Sequence, residues 1–320
     1  MEDNDYFIGR YSNGIPGPLF LVFSGMHGNE PAGIRALEML FEMLDKEPEV
    51  NPGFVFHGML LGLKGNPNAL REGKRFIQKD LNRQWTTENI ERIRPLPAET
   101  LEAEDRDLKE LLTLIEAAIA DSKPTSIAIL DLHTTSAEGG IFAIASQYPE
   151  SVHMGIALHV PVITGLLRGI YGTLMHYFTE KTTGVRTVAV GFEGGQHEDP
   201  LSVNRCIAAT INCMRFIGCV RAEDVENRHD EMLIAYSRGL PKVAELVSVH
   251  LVKPEDHFQM LPGFQNFQAV KKGQLLATDK DGDIRAPADG CLLMPLYQPQ
   301  GEEGFFLVNP IQVPLASGAF

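Results

Sequence analysis

The chain has 320 residues, 44% hydrophobic and 22% charged, a composition typical of a globular protein with a full-sized core. Its formal net charge of −14 repels phosphate backbones and anionic lipid surfaces, so we expect neither nucleic acid nor membranes as partners. The acidic first residues, MEDNDYFIGR, lack the basic and apolar regions of a signal peptide, and the four cysteines form no C-x-x-C pair. We therefore expect a cytoplasmic protein with reduced thiols.

The first predicted unit is a strand followed by a helix. The apolar run LFLVF, residues 19–23, predicts a buried strand, and apolar residues at helical spacing follow Pro31, which we expect to be the first helical residue. His27 and Glu30 fall in the turn between the two elements, flanked by Gly25 and Gly28.

Two further units repeat this pattern. An amphipathic stretch from about 105 to 120 leads to the strand SIAILDLH, which ends at His133, and the strand RTVAVGFEGG reaches Glu193 before a helix from about 202 to 217. Each strand therefore delivers a reactive side chain at its carboxyl end, where open α/β sheets bind ligands.

The alternation of strands and helices predicts an α/β fold with a mixed, largely parallel sheet flanked by helices. After about residue 240, short β-like runs separated by turns replace the long helical patterns. We therefore expect a catalytic domain over 1–240 and a smaller all-β domain over 241–320.

His27, Glu30 and the distant His133 suit a metal site. Zinc prefers imidazole nitrogen and carboxylate oxygen, and catalytic zinc sites use three protein ligands with one open position. Glycines at 25 and 28 would let the backbone bring the two close ligands onto one ion. The H-x-x-E pair alone is weak evidence, and a capping glutamate with two hydrogen-bonded histidines is the alternative.

The segment RFIQKDLNRQW, residues 75–85, adds cations near this turn. Arginine presents a rigid fork that suits a carboxylate, and a cation beside a metal can polarise a carbonyl oxygen. The alternative is that Arg75 and Arg83 are solvated surface charges.

Five motifs in order, GMHGNEPAG, GNPNAL, RFIQKDLNR, DLHTT and VGFEGG, resemble the succinylglutamate desuccinylase and aspartoacylase branch of the zinc carboxypeptidase-like hydrolases. The resemblance covers about residues 19–200. It implies that His27, Glu30 and His133 bind zinc and that Glu193 is the general base. It also implies that Arg75 polarises the scissile carbonyl and that Asn82 and Arg83 hold the carboxylate of the substrate.

Two positions depart from the aspartoacylase pattern. That pattern has a further arginine about ten residues before the catalytic glutamate, where this chain has Gly184 and, displaced, Arg186. It also has a tyrosine in the C-terminal domain where this chain offers Phe305 or Phe306.

The resemblance implies a zinc-dependent amide hydrolase that removes an acyl group from a small N-acyl amino acid. A metallocarboxypeptidase acting on a peptide or on a cell-wall stem peptide is the alternative, because the same residues serve both reactions. A non-catalytic binding protein with this fold is a further possibility. The sequence predicts no particular acyl group, amino acid or oligomeric state.

Overall fold

The computed structural model describes residues 4–225 and 228–312. The strands are β1 (Phe7–Tyr11), β2 (Ile15–Ser24), β3 (His57–Lys64), β4 (Ile127–Thr135), β5 (Phe142–Ala145), β6 (Val162–Thr164), β7 (Thr187–Gln196), β8 (Val243–Leu251), β9 (Gln259–Met260), β10 (Ala269–Val270), β11 (Leu275–Asp279), β12 (Gly282–Arg285), β13 (Gly290–Leu293) and β14 (Glu303–Pro310). The α-helices are α1 (Ala32–Val50), α2 (Pro67–Glu72), α3 (Thr87–Ile93), α4 (Ala103–Ser122), α5 (Pro149–Ala157), α6 (Leu174–Tyr177), α7 (Glu180–Thr183), α8 (Leu201–Phe216) and α9 (Arg228–Tyr236).

A mixed sheet forms the centre of the molecule, in the strand order β1-β3-β2-β4-β7-β5-β6-β8-β14-β13-β10. Strands β3, β2, β4 and β7 are parallel to one another, whereas β1 runs antiparallel to β3 and β5 runs antiparallel to β7. Helices α1, α5 and α8 pack their apolar residues on one face, and α3 and α4 pack theirs on the other. The predicted α/β fold with a mixed sheet flanked by helices is therefore confirmed.

The predicted elements are present at shifted boundaries. Helix α1 begins at Ala32, so Pro31 is its N-cap and not its first helical residue. Helix α4 is longer than the predicted 105–120, and α8 agrees with the predicted 202–217 to within one residue. Cys206 and Cys213 lie on α8, and both thiols are buried and free, as predicted.

The register of the central strands brings three strand ends together. Ser24 at the end of β2 pairs with Leu132 on β4, and His133 on β4 pairs with Glu193 on β7. The three predicted reactive positions therefore lie at one edge of the sheet, as expected for parallel strands.

The C-terminal region consists of β-strands, with a separate small sheet in the order β12-β11-β9. Strand β8 pairs with β6, so the large sheet continues across residue 240 through main-chain hydrogen bonds. The division into two domains at residue 240 stays a prediction. Positions 1–3, 226–227 and 313–320 lie outside the described residues. Within the described ranges, no helix has both the length and the apolarity needed to cross a bilayer.

Candidate active site

Two histidines and one glutamate meet at the edge of the sheet. His27 and Glu30 lie in the loop after β2, and His133 lies on β4. His27 Nδ1 is 2.9 Å from Glu30 Oε1, and His133 Nδ1 is 3.0 Å from Glu30 Oε2. Candidate ligand atoms of these three buried residues all lie within 4.8 Å of one another, so they could hold one metal ion.

Glycines shape the loop that carries the first two of these residues. Gly25 has φ +67°, a left-handed conformation that L side chains rarely adopt. A Cβ atom on Gly28 would lie 2.0 Å from the carbonyl carbon of Ala69, because the loop packs directly on the backbone of α2. Both positions therefore require glycine, which agrees with the role expected from the sequence.

Each histidine is held by a carboxylate on its other ring nitrogen. His27 Nε2 is 3.1 Å from Asp80 Oδ1, and His133 Nε2 is 2.9 Å from Asp131 Oδ2. Such contacts orient a metal-binding imidazole and leave its second nitrogen for the ion. With the Glu30 carboxylate in contact with both Nδ1 atoms, this His₂Glu donor set fits the preference of zinc.

The charge state of Glu30 also suits an ion. Burial by itself raises the pKa of the Glu30 carboxyl, but the charges and hydrogen bonds of His27 and His133 outweigh it and hold the pKa well below its usual value. Its Oε2 accepts a further hydrogen bond from the backbone N–H of Thr134 at 3.0 Å. Glu30 is therefore a buried carboxylate in its ionised form.

Arg75 lies beside this group of residues. Its Nε and Nη2 both donate to Asp80 Oδ2, at 3.1 and 2.9 Å, and its Nη1 is 3.7 Å from Glu30 Oε1. Burial by itself raises the pKa of Asp80, but Arg75 and His27 hold it well below its usual value. Asp80 thus fixes both the arginine and the first histidine.

Asn82 and Arg83 lie on the short 3₁₀ turn that Asp80 caps. Asn82 Nδ2 donates to Asp131 Oδ2 at 3.3 Å, and Asn82 Oδ1 accepts from the Leu174 N–H at 3.1 Å. Arg83 Nη2 donates to Glu303 Oε1 at 2.7 Å, across to β14. Both predicted substrate-binding residues therefore reach the site, and both already have protein partners.

Glu193 is buried on β7, opposite His133 on β4 and Phe142 on β5. Burial raises the pKa of its carboxyl to about 8, against the opposing charge of His133. Among the described residues its Oε2 has no hydrogen-bond partner. A buried carboxyl with a free oxygen at the edge of a ligand set is suited to accept and return a proton.

A cavity of about 100 Å³ opens beside these residues. It is lined by all seven residues that the sequence singled out: His27, Glu30, Arg75, Asn82, Arg83, His133 and Glu193. The C-terminal region adds Met294, Leu296, Gln298, Gly301, Glu303 and Phe306 to the lining. The cavity is thus closed by residues that come from both sides of position 240.

The two departures from the aspartoacylase pattern have clear positions. Arg186 lies at the start of β7, at the opposite end of that strand from Glu193, with its Nη2 3.7 Å from Glu150. Phe306 lines the cavity, whereas Phe305 stacks on His250 at 5.1 Å between ring centroids. The displaced arginine is therefore absent from the cavity lining in the described part of the chain.

Sequence reasoning missed three residues that contact the site. Asp80 was not singled out, although an acid two residues before Asn82 in KDLNR was the available signal. Gln298 and Gln300 were not singled out either: Gln298 accepts from Asn29 Nδ2 at 2.7 Å, and Gln300 accepts from the Arg75 N–H at 3.1 Å. Their positions depend on how the C-terminal strands fold back, which no local pattern indicates.

The chain is similar to known proteins in sequence and in fold. The sequence model of the succinylglutamate desuccinylase/aspartoacylase catalytic domain matches residues 16–217. A probable aspartoacylase from a Nostoc species is 33% identical over 125 residues, which is 38% of this chain and 37% of the relative. A probable aspartoacylase from Prochlorococcus marinus is 26% identical over 298 residues, or 87% of each chain.

The structure of succinylglutamate desuccinylase from Vibrio cholerae has a TM-score of 0.63 at 19% identity, covering 94% of this chain and 84% of that one. At this identity the likeness shows a shared fold. The match to the Nostoc protein spans little more than a third of that protein's length. The family model covers well over half of the present chain. The chain therefore belongs to the succinylglutamate desuccinylase/aspartoacylase family.

Proposed function

We propose that this protein is a zinc-dependent amide hydrolase that removes the acyl group from a small N-acyl amino acid. The observation that carries the proposal is the donor set of His27, Glu30 and His133 beside the unpartnered carboxyl of Glu193. Family membership supports the same reaction, because the relatives are named aspartoacylases and succinylglutamate desuccinylases.

Zinc at this donor set would polarise an amide carbonyl and acidify a water molecule. Glu193 then accepts a proton from the attacking water and returns it to the nitrogen of the leaving amine. Nη1 of Arg75 donates a hydrogen bond to the carbonyl oxygen as negative charge develops there.

Arg83, with Asn82 beside it, holds the free carboxylate of the substrate. Arginine suits this role because its planar fork can donate two parallel hydrogen bonds to a carboxylate. Arg83 Nη2 now donates to Glu303, so an incoming carboxylate has to compete with that side chain.

The enclosure of the cavity favours a small substrate over a peptide. Its volume of about 100 Å³ is below the roughly 300 to 1,000 Å³ of pockets that hold drug-sized ligands. Residues from 294 to 306 line it, so the C-terminal region narrows the site. The alternative is a carboxypeptidase that acts on a peptide or a cell-wall stem peptide, and turnover assays must distinguish it from the deacylase.

The cytoplasmic location also stays a prediction.

Metal analysis combined with a turnover screen tests the proposal. Purified protein should hold about one zinc per chain, and His133→Ala should abolish tight binding, whereas His153→Ala on α5 should not. The zinc-loaded protein should hydrolyse members of a panel of N-acetyl, N-succinyl and longer N-acyl amino acids faster than short peptides. Preferential peptide cleavage would favour the carboxypeptidase, and bound zinc without turnover of any amide would indicate a binding protein.

A further inference from the structure

The wall of the cavity next to the Asn82–Arg83 turn is largely apolar. The segment 165–175 packs directly on this turn: Gly172 O accepts from the Trp85 N–H at 2.9 Å, and Leu174 N donates to Asn82 at 3.1 Å. This segment contributes the apolar residues Leu166, Ile170 and Met175 to the cavity lining, together with Thr173. Because the free carboxylate of an amino acid is attached to the carbon that also bears its side chain, a substrate held at Arg83 would have its side chain within reach of these residues.

Gly191 also lines the cavity, and its lack of a side chain lets Met175 and Ile144 pack closely over the strand. Gly191 lies on β7 two residues before Glu193, on the same face of the sheet, and pairs with Ile144 on β5. A Cβ atom at this position would lie 3.3 Å from Met175 Cε and 3.6 Å from Ile144 Cβ. The space beside Glu193 is therefore bounded by apolar atoms.

The charges of the cavity leave no cation for a second carboxylate. In the described ranges, the arginines and lysines that line it are Arg75 and Arg83, and these donate to Asp80 and Glu303 respectively. Four carboxyl groups also line it, those of Glu30, Asp131, Glu193 and Glu303. An acidic side chain on the substrate would meet carboxylates, apolar walls and neutral polar groups such as Thr134 and Gln298, but no further arginine or lysine among the described residues.

We infer that the cavity selects N-acyl amino acids whose own side chain is apolar and uncharged. This inference rests on the proposed function and names the substrate class of that same site. Leu166, Ile170 and Met175 form the selecting wall, and Met175 limits the size of the side chain. Met175 also lines a second cavity of about 450 Å³, so it separates the two spaces.

A matched pair of substrates tests the selectivity. Leucine and aspartate have side chains of similar shape, one apolar and one charged. We expect kcat/KM of the zinc-loaded protein to be at least about tenfold higher for N-acetyl-leucine than for N-acetyl-aspartate, the factor that burial of a leucine-sized side chain supplies. An equal or higher value for the aspartate derivative would overturn the inference and leave the proposed function intact.

Binding of the free amino acids separates the inference from the proposed function. Calorimetry of the zinc-loaded protein should show tighter binding of leucine than of aspartate, whether or not any amide is hydrolysed. Equal binding, tighter binding of aspartate, or binding of neither would contradict the selectivity. No turnover of any N-acyl amino acid by the zinc-loaded protein would overturn the hydrolase assignment alone.

Two variants locate the selectivity in the wall. Ile170→Arg adds the missing cation at a half-buried position and should raise the ratio of kcat/KM for aspartate over leucine derivatives by about tenfold or more. Met175→Ala joins the two cavities and should raise the ratio for tryptophan over alanine derivatives severalfold, whereas Met39→Ala, at an exposed position on α1, should not change it. Unchanged ratios in both wall variants, measured on folded and zinc-loaded protein, would contradict the assignment.

Discussion

Replacing Glu193 by glutamine tests the proposed general base, because the change removes the ability to take up a proton and little else. Glu193 is only 6% exposed, and its Oε2 has no hydrogen-bond partner in the described part of the chain, so glutamine breaks no hydrogen bond at that atom. General acid–base catalysis typically contributes about 10² to 10⁴-fold. We therefore expect kcat to fall by that factor, which corresponds to roughly 3 to 5 kcal/mol of barrier.

The assay measures kcat, zinc content and thermal unfolding on one preparation of each protein. Zinc content should match the parent, because Glu193 is not part of the proposed ligand set. Glu198→Gln is the matched control, since Glu198 is exposed on the loop that follows β7. Parental kcat in the fully zinc-loaded Glu193→Gln variant would refute the reasoning, and a loss of zinc would assign Glu193 to the metal.

Three further changes test other contacts. Asp80→Asn weakens the carboxylate that orients the first histidine, so zinc affinity measured by chelator competition should fall about 10 to 100-fold, whereas the exposed Asp121→Asn should have no effect. Glu303→Gln removes the competitor for Arg83, so KM for the N-acyl amino acid should fall about fivefold with kcat unchanged; a higher KM would mean that Glu303 positions the arginine. Burial raises the pKa of Asp107 to about 7, so the parent loses stability as the pH rises from the unfolded-state pKa near 4 to about 7. The Asp107→Asn variant does not undergo this loss. Its free energy of unfolding relative to the parent, measured with denaturant, should therefore increase over that pH range by at most about 4 kcal/mol. If this free-energy difference stays constant with pH, the titration of Asp107 is excluded as the cause.

The ends of the central strands could be predicted from the sequence because they depend on local patterns. Apolar runs preceded or followed by helical periodicity indicated β2, β4 and β7, and the geometry of parallel strands then required their carboxyl ends to meet. His27, His133 and Glu193 could therefore be placed at one edge of the sheet before their contacts were known. The first residue of α1 was wrong by one position, because proline is tolerated both at the N-cap and at the first helical residue.

The contacts that complete the site depend on long-range packing and could not be predicted in the same way. Asp80 reaches His27 across 53 residues, from a segment without regular periodicity. Arg83 meets Glu303 across 220 residues, because β14 joins the large sheet beside β8. A local sequence pattern cannot predict pairings between residues so far apart in the chain. It did place both arginines near the turn that carries His27 and Glu30, and both line the same cavity as these residues.

The residues proposed for the chemistry and the residues that surround the substrate come from different parts of the chain. His133 and Glu193 lie on strands whose register is fixed by main-chain hydrogen bonds, and His27 follows directly on a third such strand. The walls of the cavity come largely from segments 165–175 and 294–306, which meet the Asn82–Arg83 turn through contacts such as the Gly172–Trp85 main-chain hydrogen bond and the Arg83–Glu303 side-chain contact. A substitution in these walls leaves the strand register intact, so selectivity can change while the metal set is retained. Wall variants should therefore change the ratio of kcat/KM between substrates, whereas variants at the strand ends should lower kcat for every substrate alike.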